Sequence, residues 1–136
     1  MRHVVIDTNV LISSIFRRNE DQLTRALELY DRAGNGELVV VFPQFVIFEA
    51  IHVFTHIYRF SPAAITQMLR DAMALPGVTI VNDCRWPEFF EHWSNFQPDV
   101  GDAAILALAI ANRYILATFD HKFANRARTF GVAPYW

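Results

Sequence analysis

A single cysteine, Cys84, stands among 136 residues, so no internal disulfide can form and a reducing cytoplasm is the compartment that suits the composition. Lysine is equally scarce: Lys122 is the only one, against eleven arginines. The five glycines are not gathered into a phosphate-cradling loop, which leaves nucleotide hydrolysis unsupported. Long apolar runs are missing as well. The longest, Ala103 to Ala111, falls short of the ~20 residues needed to span a bilayer. Asp7 and Asn9 interrupt the N-terminal apolar stretch before it can read as a secretory signal. The expectation is a cytoplasmic protein with no membrane segment. What the chain does have is core: 53% hydrophobic residues with twelve phenylalanines, enough for one packed domain over residues 1–136.

Basic excess is also lacking. A net charge of -2 and a pI of about 6.2 argue at first against a nucleic-acid ligand. That objection depends on where the fourteen acids lie. If four of them gather in one metal site, the rest of the surface is net positive, and bound cations turn the site itself electropositive. The arginine bias then suits planar, bidentate phosphate contacts.

Strand and helix patterns alternate along the chain without a linker or repeat. Val4-Val5-Ile6 is an unbroken apolar run, the pattern of a strand covered on both faces. Residues 21–33 place Leu23, Ala26, Leu27 and Tyr30 on one helical face and close at Gly34. Residues 37–42 read as a strand ended by Pro43, residues 44–58 as an aromatic-rich helix, and Ser61-Pro62 as the cap of a third helix running to about residue 75. A strand at 78–81, a helix at 86–93, a helix from Asp99 or Asp102 to Asn112 and a strand at 114–119 follow. The alternation predicts an α/β fold, a three-layer α/β/α sandwich around a central parallel sheet.

Against that frame several acids occupy telling places. Asp7 and Asp120 each follow a predicted strand, where ligands collect in open α/β sheets. Asp7 has a plainer reading as the cap of the helix behind it. Asp102 begins a helix apolar on every side, whose N-terminus must therefore be fixed against the sheet, yet Asp99 and Asp102 are also spaced like a capping box. Glu49 sits in Phe45-Val46-Ile47-Phe48-Glu49-Ala50-Ile51-His52-Val53-Phe54, where a buried, unpaired carboxylate would cost several kcal/mol and demand compensation. Alternatively Glu49, His52 and His56 form a solvated stripe. A di-iron reading of Glu49-x-x-His52 needs a helix bundle and a second such motif, and neither is present.

Four segments together resemble the PIN-domain family, small metal-dependent ribonucleases that include the VapC-type toxins of VapBC toxin-antitoxin modules. They are V-V-I-D-T-N-V-L from Val4, F-E-A-I-H-V-F from Phe48, D-A-A-I-L-A-L-A from Asp102 and A-T-F-D-H-K-F from Ala117, in the family's order. The resemblance implies a catalytic, metal-holding quartet of Asp7, Glu49, Asp102 and Asp120, with Asp99 as an optional fifth ligand and Asn9 and Thr118 positioning the acids or a water. Lys122 stands where many relatives carry another acid. The resemblance also implies Mg²⁺ or Mn²⁺ as cofactor, RNA as substrate and a cognate antitoxin as partner. It further implies a homodimer, to which the aromatic-rich helices between Phe42 and Phe60 and the three tryptophans lend apolar surface. Arg17, Arg18 and Lys122 are the candidate RNA contacts.

The quartet makes chemical sense independently. Hard divalent cations take oxygen ligands and can activate water for attack on a phosphodiester, so no side-chain nucleophile is needed. Other enzyme classes fit less well. A response-regulator receiver needs an early acidic pair and a late lysine directly after a strand, whereas Lys122 follows Asp120. A haloacid-dehalogenase-type phosphatase needs an Asp where Asn9 stands. Two alternatives stay within the family: a housekeeping RNA-processing nuclease that is not a toxin, and a non-enzymatic PIN fold that binds RNA or a partner without turnover.

Overall fold

The computed structural model describes residues 1–136. Four strands, β1 (Arg2–Ile6), β2 (Leu38–Pro43), β3 (Val78–Val81) and β4 (Ile115–Ala117), form one sheet in the order β3-β2-β1-β4. All three pairings are parallel. The connections carry α1 (Thr8–Ile15) and α2 (Glu20–Gly34), α3 (Gln44–His56) and α4 (Pro62–Met73), and α5 (Trp86–His92) and α6 (Val100–Asn112); α7 (His121–Thr129) follows β4. The chain steps from β1 outward to β3 and then returns to the far side of β1 as β4. Right-handed crossovers therefore put α1 to α4 on one face and α5 and α6 on the other, giving the sandwich that the alternation predicts. The return places the topological switch between β1 and β4, where Ile6 pairs with Ala117.

Burial follows the pattern of the sequence. Val4, Val5 and Ile6 are fully enclosed, as an all-apolar parallel strand must be, and Ala103 to Ala109 of α6 are buried on every side. No helix is long and apolar enough to cross a membrane. Several boundaries differ from expectation. On α2 the inward face uses Leu29, while Leu27 is exposed. Strand β4 has three residues rather than six, because Thr118 already turns its hydroxyl toward neighbouring chain ends instead of continuing the ladder. The free edge of β4 is covered by the C-terminal segment, where Leu116 N–H donates to Ala133 and Tyr135 N–H donates to Leu116. Helix α7 escapes a periodicity reading because only Phe123 and Ala127 of its nine residues are buried.

The loop entering β3 is fixed by a close approach. Gly77 has φ +83°, and a Cβ there would lie 2.4 Å from the carbonyl oxygen of Ala33 at the end of α2. Substituting Gly77→Ala should therefore lower stability by about 1–3 kcal/mol through strain and collision. Urea unfolding checks this: the midpoint should fall with an unchanged m-value.

Candidate functional site

The site begins at the end of β1. Asp7 is 4% exposed, and its two carboxylate oxygens have separate tasks. Oδ1 accepts the Val10 N–H at 3.0 Å and so caps α1, as its position before the helix predicts. Oδ2 accepts the hydroxyl proton of Thr118, at the end of β4. The Thr118 oxygen in turn accepts the Asp120 N–H at 3.1 Å, so one hydroxyl ties the two strand-end acids together. Burial pushes the Asp7 carboxyl up to about 6; the Thr118 and Val10 hydrogen bonds oppose the rise, and the charges of Asp120 and Glu49 add to it.

Asp120 is exposed and caps α7. Its Oδ1 accepts the N–H groups of Lys122 at 2.9 Å and Phe123 at 3.2 Å, which leaves Oδ2 uncommitted. At α6 the capping reading separates two residues that the spacing could not. Asp99 is the cap, accepting the Asp102 N–H at 2.9 Å. The carboxylate of Asp102 is not spent on the helix: its Oδ2 accepts from Gln97 Nε2 at 3.3 Å. Burial pushes Asp102 up to about 7, reinforced by the charges of Asp99, Asp7, Asp120 and Glu49.

Glu49 corrects an expectation. It is exposed, not buried, and shares a solvent-facing stripe of α3 with His52 and His56, whose rings lie 4.5 Å apart. It needs no compensating partner. The same exposed position nonetheless aims its carboxylate into a small cleft of about 30 Å³ lined also by Asp7, Asn9 and Asp102. Gly101 keeps this cleft open: a Cβ there would stand 2.9 Å from Glu49 Oε2 and 3.4 Å from Asp99 Oδ1. The acids are gathered without being closed together, since no three of them lie within reach of a common ion.

Asp120 faces an adjoining cleft with Asn9, Asn19, Gln22 and Arg18. The Arg18 guanidinium is held there by Ser13 Oγ, Tyr58 OH and Asn9 Oδ1, at 3.1 to 3.2 Å. Arg17 does not join it: its guanidinium pairs with Glu20 at 3.5 Å on the open surface. Lys122 is exposed in the first turn of α7. Sequence reasoning missed Gln97. This amide is 1% exposed, donates to Asp102 and accepts from Arg126 Nη1 at 3.3 Å. Nothing in Ser94-Asn95-Phe96-Gln97-Pro98 marks it, because its burial depends on α7 folding back over it.

The donors that face one another are carboxylate oxygens, with a hydroxyl and amides behind them, and burial, with mutual repulsion added to it, raises two of the acids. That set fits a hard divalent cation, which would relieve the repulsion that the bare carboxylates suffer.

The PIN domain family matches residues 4–129, and the chain belongs to it. PIN domains are generally nucleases that depend on divalent metal. Among solved structures, a chain of VapBC2 from Rickettsia felis, bound to a DNA fragment from its promoter, is 17% identical with a TM-score of 0.67, over 91% of this chain and 92% of that one. PAE2754 from Pyrobaculum aerophilum is 15% identical with a TM-score of 0.64, over 92% and 86%. A domain of a functionally unknown protein from Methanocaldococcus jannaschii is 20% identical with a TM-score of 0.61, over 100% and 91%. At these identities the likeness shows the shared fold. No curated protein matches the chain in sequence.

The raised acids carry a pH signature. Asp7 at about 6 and Asp102 at about 7 bind protons more tightly in the folded chain than in the unfolded one, where both return toward 3.8. Their stabilising effect is complete below the unfolded value and disappears as pH rises through the folded ones. In EDTA the melting temperature should thus fall between about pH 4 and about pH 7, and Asp102→Asn should flatten the upper part of that fall. A flat profile in the wild type, or the same slope in the variant, would count against the shared pocket.

Proposed function

We propose that this protein is a Mg²⁺- or Mn²⁺-dependent endoribonuclease acting in the cytoplasm as the toxin of a type II toxin-antitoxin pair. The observation that carries the reading is the convergence of Asp7, Glu49 and Asp102 on one cleft, with Asp120 tied to Asp7 through Thr118. The cation would be held by acids drawn from that quartet, with Asp99 in reserve, and holding it by three or more would require the side chains to draw closer than they stand here. When bound it supplies Lewis acidity toward a phosphodiester and acidity to water at neutral pH.

The chain's own residues do the rest. Thr118 fixes the Asp7 carboxylate in one orientation, and Gln97 does the same for Asp102. Asp120 offers its free oxygen beside Arg18, whose tethered guanidinium can take a phosphate oxygen of the RNA backbone. Asn9 stands between the two clefts, where its amide can orient a water. The toxin assignment draws support from the fold shared with a chain of the Rickettsia felis VapBC2 complex, and a cognate antitoxin is the partner it implies. Ile51 and Ile57, exposed on and just beyond α3, favour a homodimer.

Purified protein should cleave RNA with Mg²⁺ or Mn²⁺ and stop in EDTA; full activity in EDTA would refute the metal role. Asp7→Asn should lose at least ~100-fold in kcat/KM, since it removes an anionic ligand from the cation that would offset the phosphate charge. A second test separates stability from function. Gly101→Ala replaces a helical glycine and on intrinsic grounds should gain about 0.5–1 kcal/mol. Its methyl displaces the Glu49 carboxylate, so Mn²⁺ affinity and activity should fall on the order of 10-fold while the melting temperature holds or rises. Unchanged Mn²⁺ affinity would remove Glu49 from the site.

A further inference from the structure

Beside the acidic cleft lies a larger groove of about 480 Å³ between α3, α5 and α6, a volume within the range of sites that hold small ligands. The two are continuous: Phe45, Glu49 and Gly101 line both. The Arg18 cleft adjoins the acids on the other side through Asn9. A chain seated with its phosphate at the acids therefore has a cationic hold on one side and this groove on the other.

The lining of the groove is aromatic and contains no Lys or Arg. It does not suit a phosphate. Trp86 is 57% exposed and Phe48 62%, although residues of this size are ordinarily buried. Trp86 is also braced, stacked on Phe90 at 5.8 Å and edge-on to Phe89 at 5.7 Å, so its free surface is a fixed platform. At the edge away from the acids stands Asp83, an acceptor that matches the exocyclic amino group of a base. Proteins read single-stranded RNA by stacking splayed bases on such side chains.

We infer that this groove is a nucleobase subsite for the nucleotide next to the scissile phosphate, with Trp86 and Phe48 as its stacking platforms and a preference for bases bearing an amino group. The inference rests on the ribonuclease reading and adds the direction in which the strand runs, from Arg18 across the acids to the aromatic groove.

The chain's one cysteine, Cys84, lines the groove and reports its occupancy. Wild-type protein in Ca²⁺, used to allow binding without turnover, is titrated with fluorescein-labelled oligoadenylate and with an abasic ribose-phosphate oligomer of equal length. Anisotropy gives the affinities, and the alkylation rate of Cys84 is followed in parallel. Oligoadenylate should bind on the order of 10-fold more tightly than the abasic probe, and the difference should shrink below about twofold in Trp86→Ala with Phe48→Ala while returning in Trp86→Phe. Bound oligoadenylate should slow alkylation of Cys84, and the abasic probe should not. Oligoadenylate that binds without protecting Cys84, or equal affinity for the two probes, overturns the subsite and leaves the ribonuclease reading standing. If neither probe binds, that reading falls, and the subsite with it. A lower light-scattering mass for the double alanine variant would identify the groove as a face between copies of the chain and overturn the subsite too. Both side chains are exposed, so an unchanged melting temperature verifies that the variants remain folded.

Discussion

The candidate site depends on one hydroxyl. Thr118 donates to a buried carboxylate of Asp7 and accepts the backbone N–H of Asp120, joining residues 111 positions apart at the only place in the sheet where the strand order reverses. Remove that bridge and Asp7 loses its hydrogen-bond partner on one oxygen while remaining walled in by apolar neighbours. A carboxylate in such surroundings either finds a donor or takes up a proton, and the rise of Asp7 to about 6 shows the balance between the two.

The second constraint is that the three acids that cap helices beside the cleft are shared between structure and candidate site. Asp7, Asp99 and Asp120 cap α1, α6 and α7, and each does so through one oxygen only. In a parallel sheet the helices after the strands begin at the carboxyl ends, so their N-termini collect at one rim. The partial positive charge there favours anions and offsets part of the repulsion among the carboxylates. Capping and metal binding are therefore compatible uses of one residue, and a reading that makes them rivals poses a false choice for Asp7 and Asp120. Asp102 is different: Asp99 does the capping, and the Asp102 carboxylate is held by a side chain from outside the helix.

Charge distribution follows the same economy. The exposed Arg17 pairs locally and contributes little to any distant site. Arg18, one residue on, is fastened by three different partners and turned toward Asp120. Both arginines lie in the connection between α1 and α2, and their fates differ because Glu20 is within reach of Arg17 while Ser13, Asn9 and Tyr58 are within reach of Arg18.

The sequence by itself determined the alternation of strands and helices as far as β4, the two acids at strand ends, the buried character of α6 and the caps at Asp7 and Ser61, because each depends on neighbours within a few residues and on the two periodicities of regular backbone. The four family segments added the expectation of an acidic quartet. Tertiary structure decided what no local pattern could carry: the adjacency of β1 and β4, the Thr118 bridge, the exposure of Glu49 on an otherwise apolar stretch, the choice of Arg18 over Arg17 and the enclosure of Gln97. The aromatic groove beside the acids belongs to this second group. These features arise where segments far apart in the chain meet, so their physical cause lies in which crossover returns to which side of β1, and that is settled only when the whole sheet has formed.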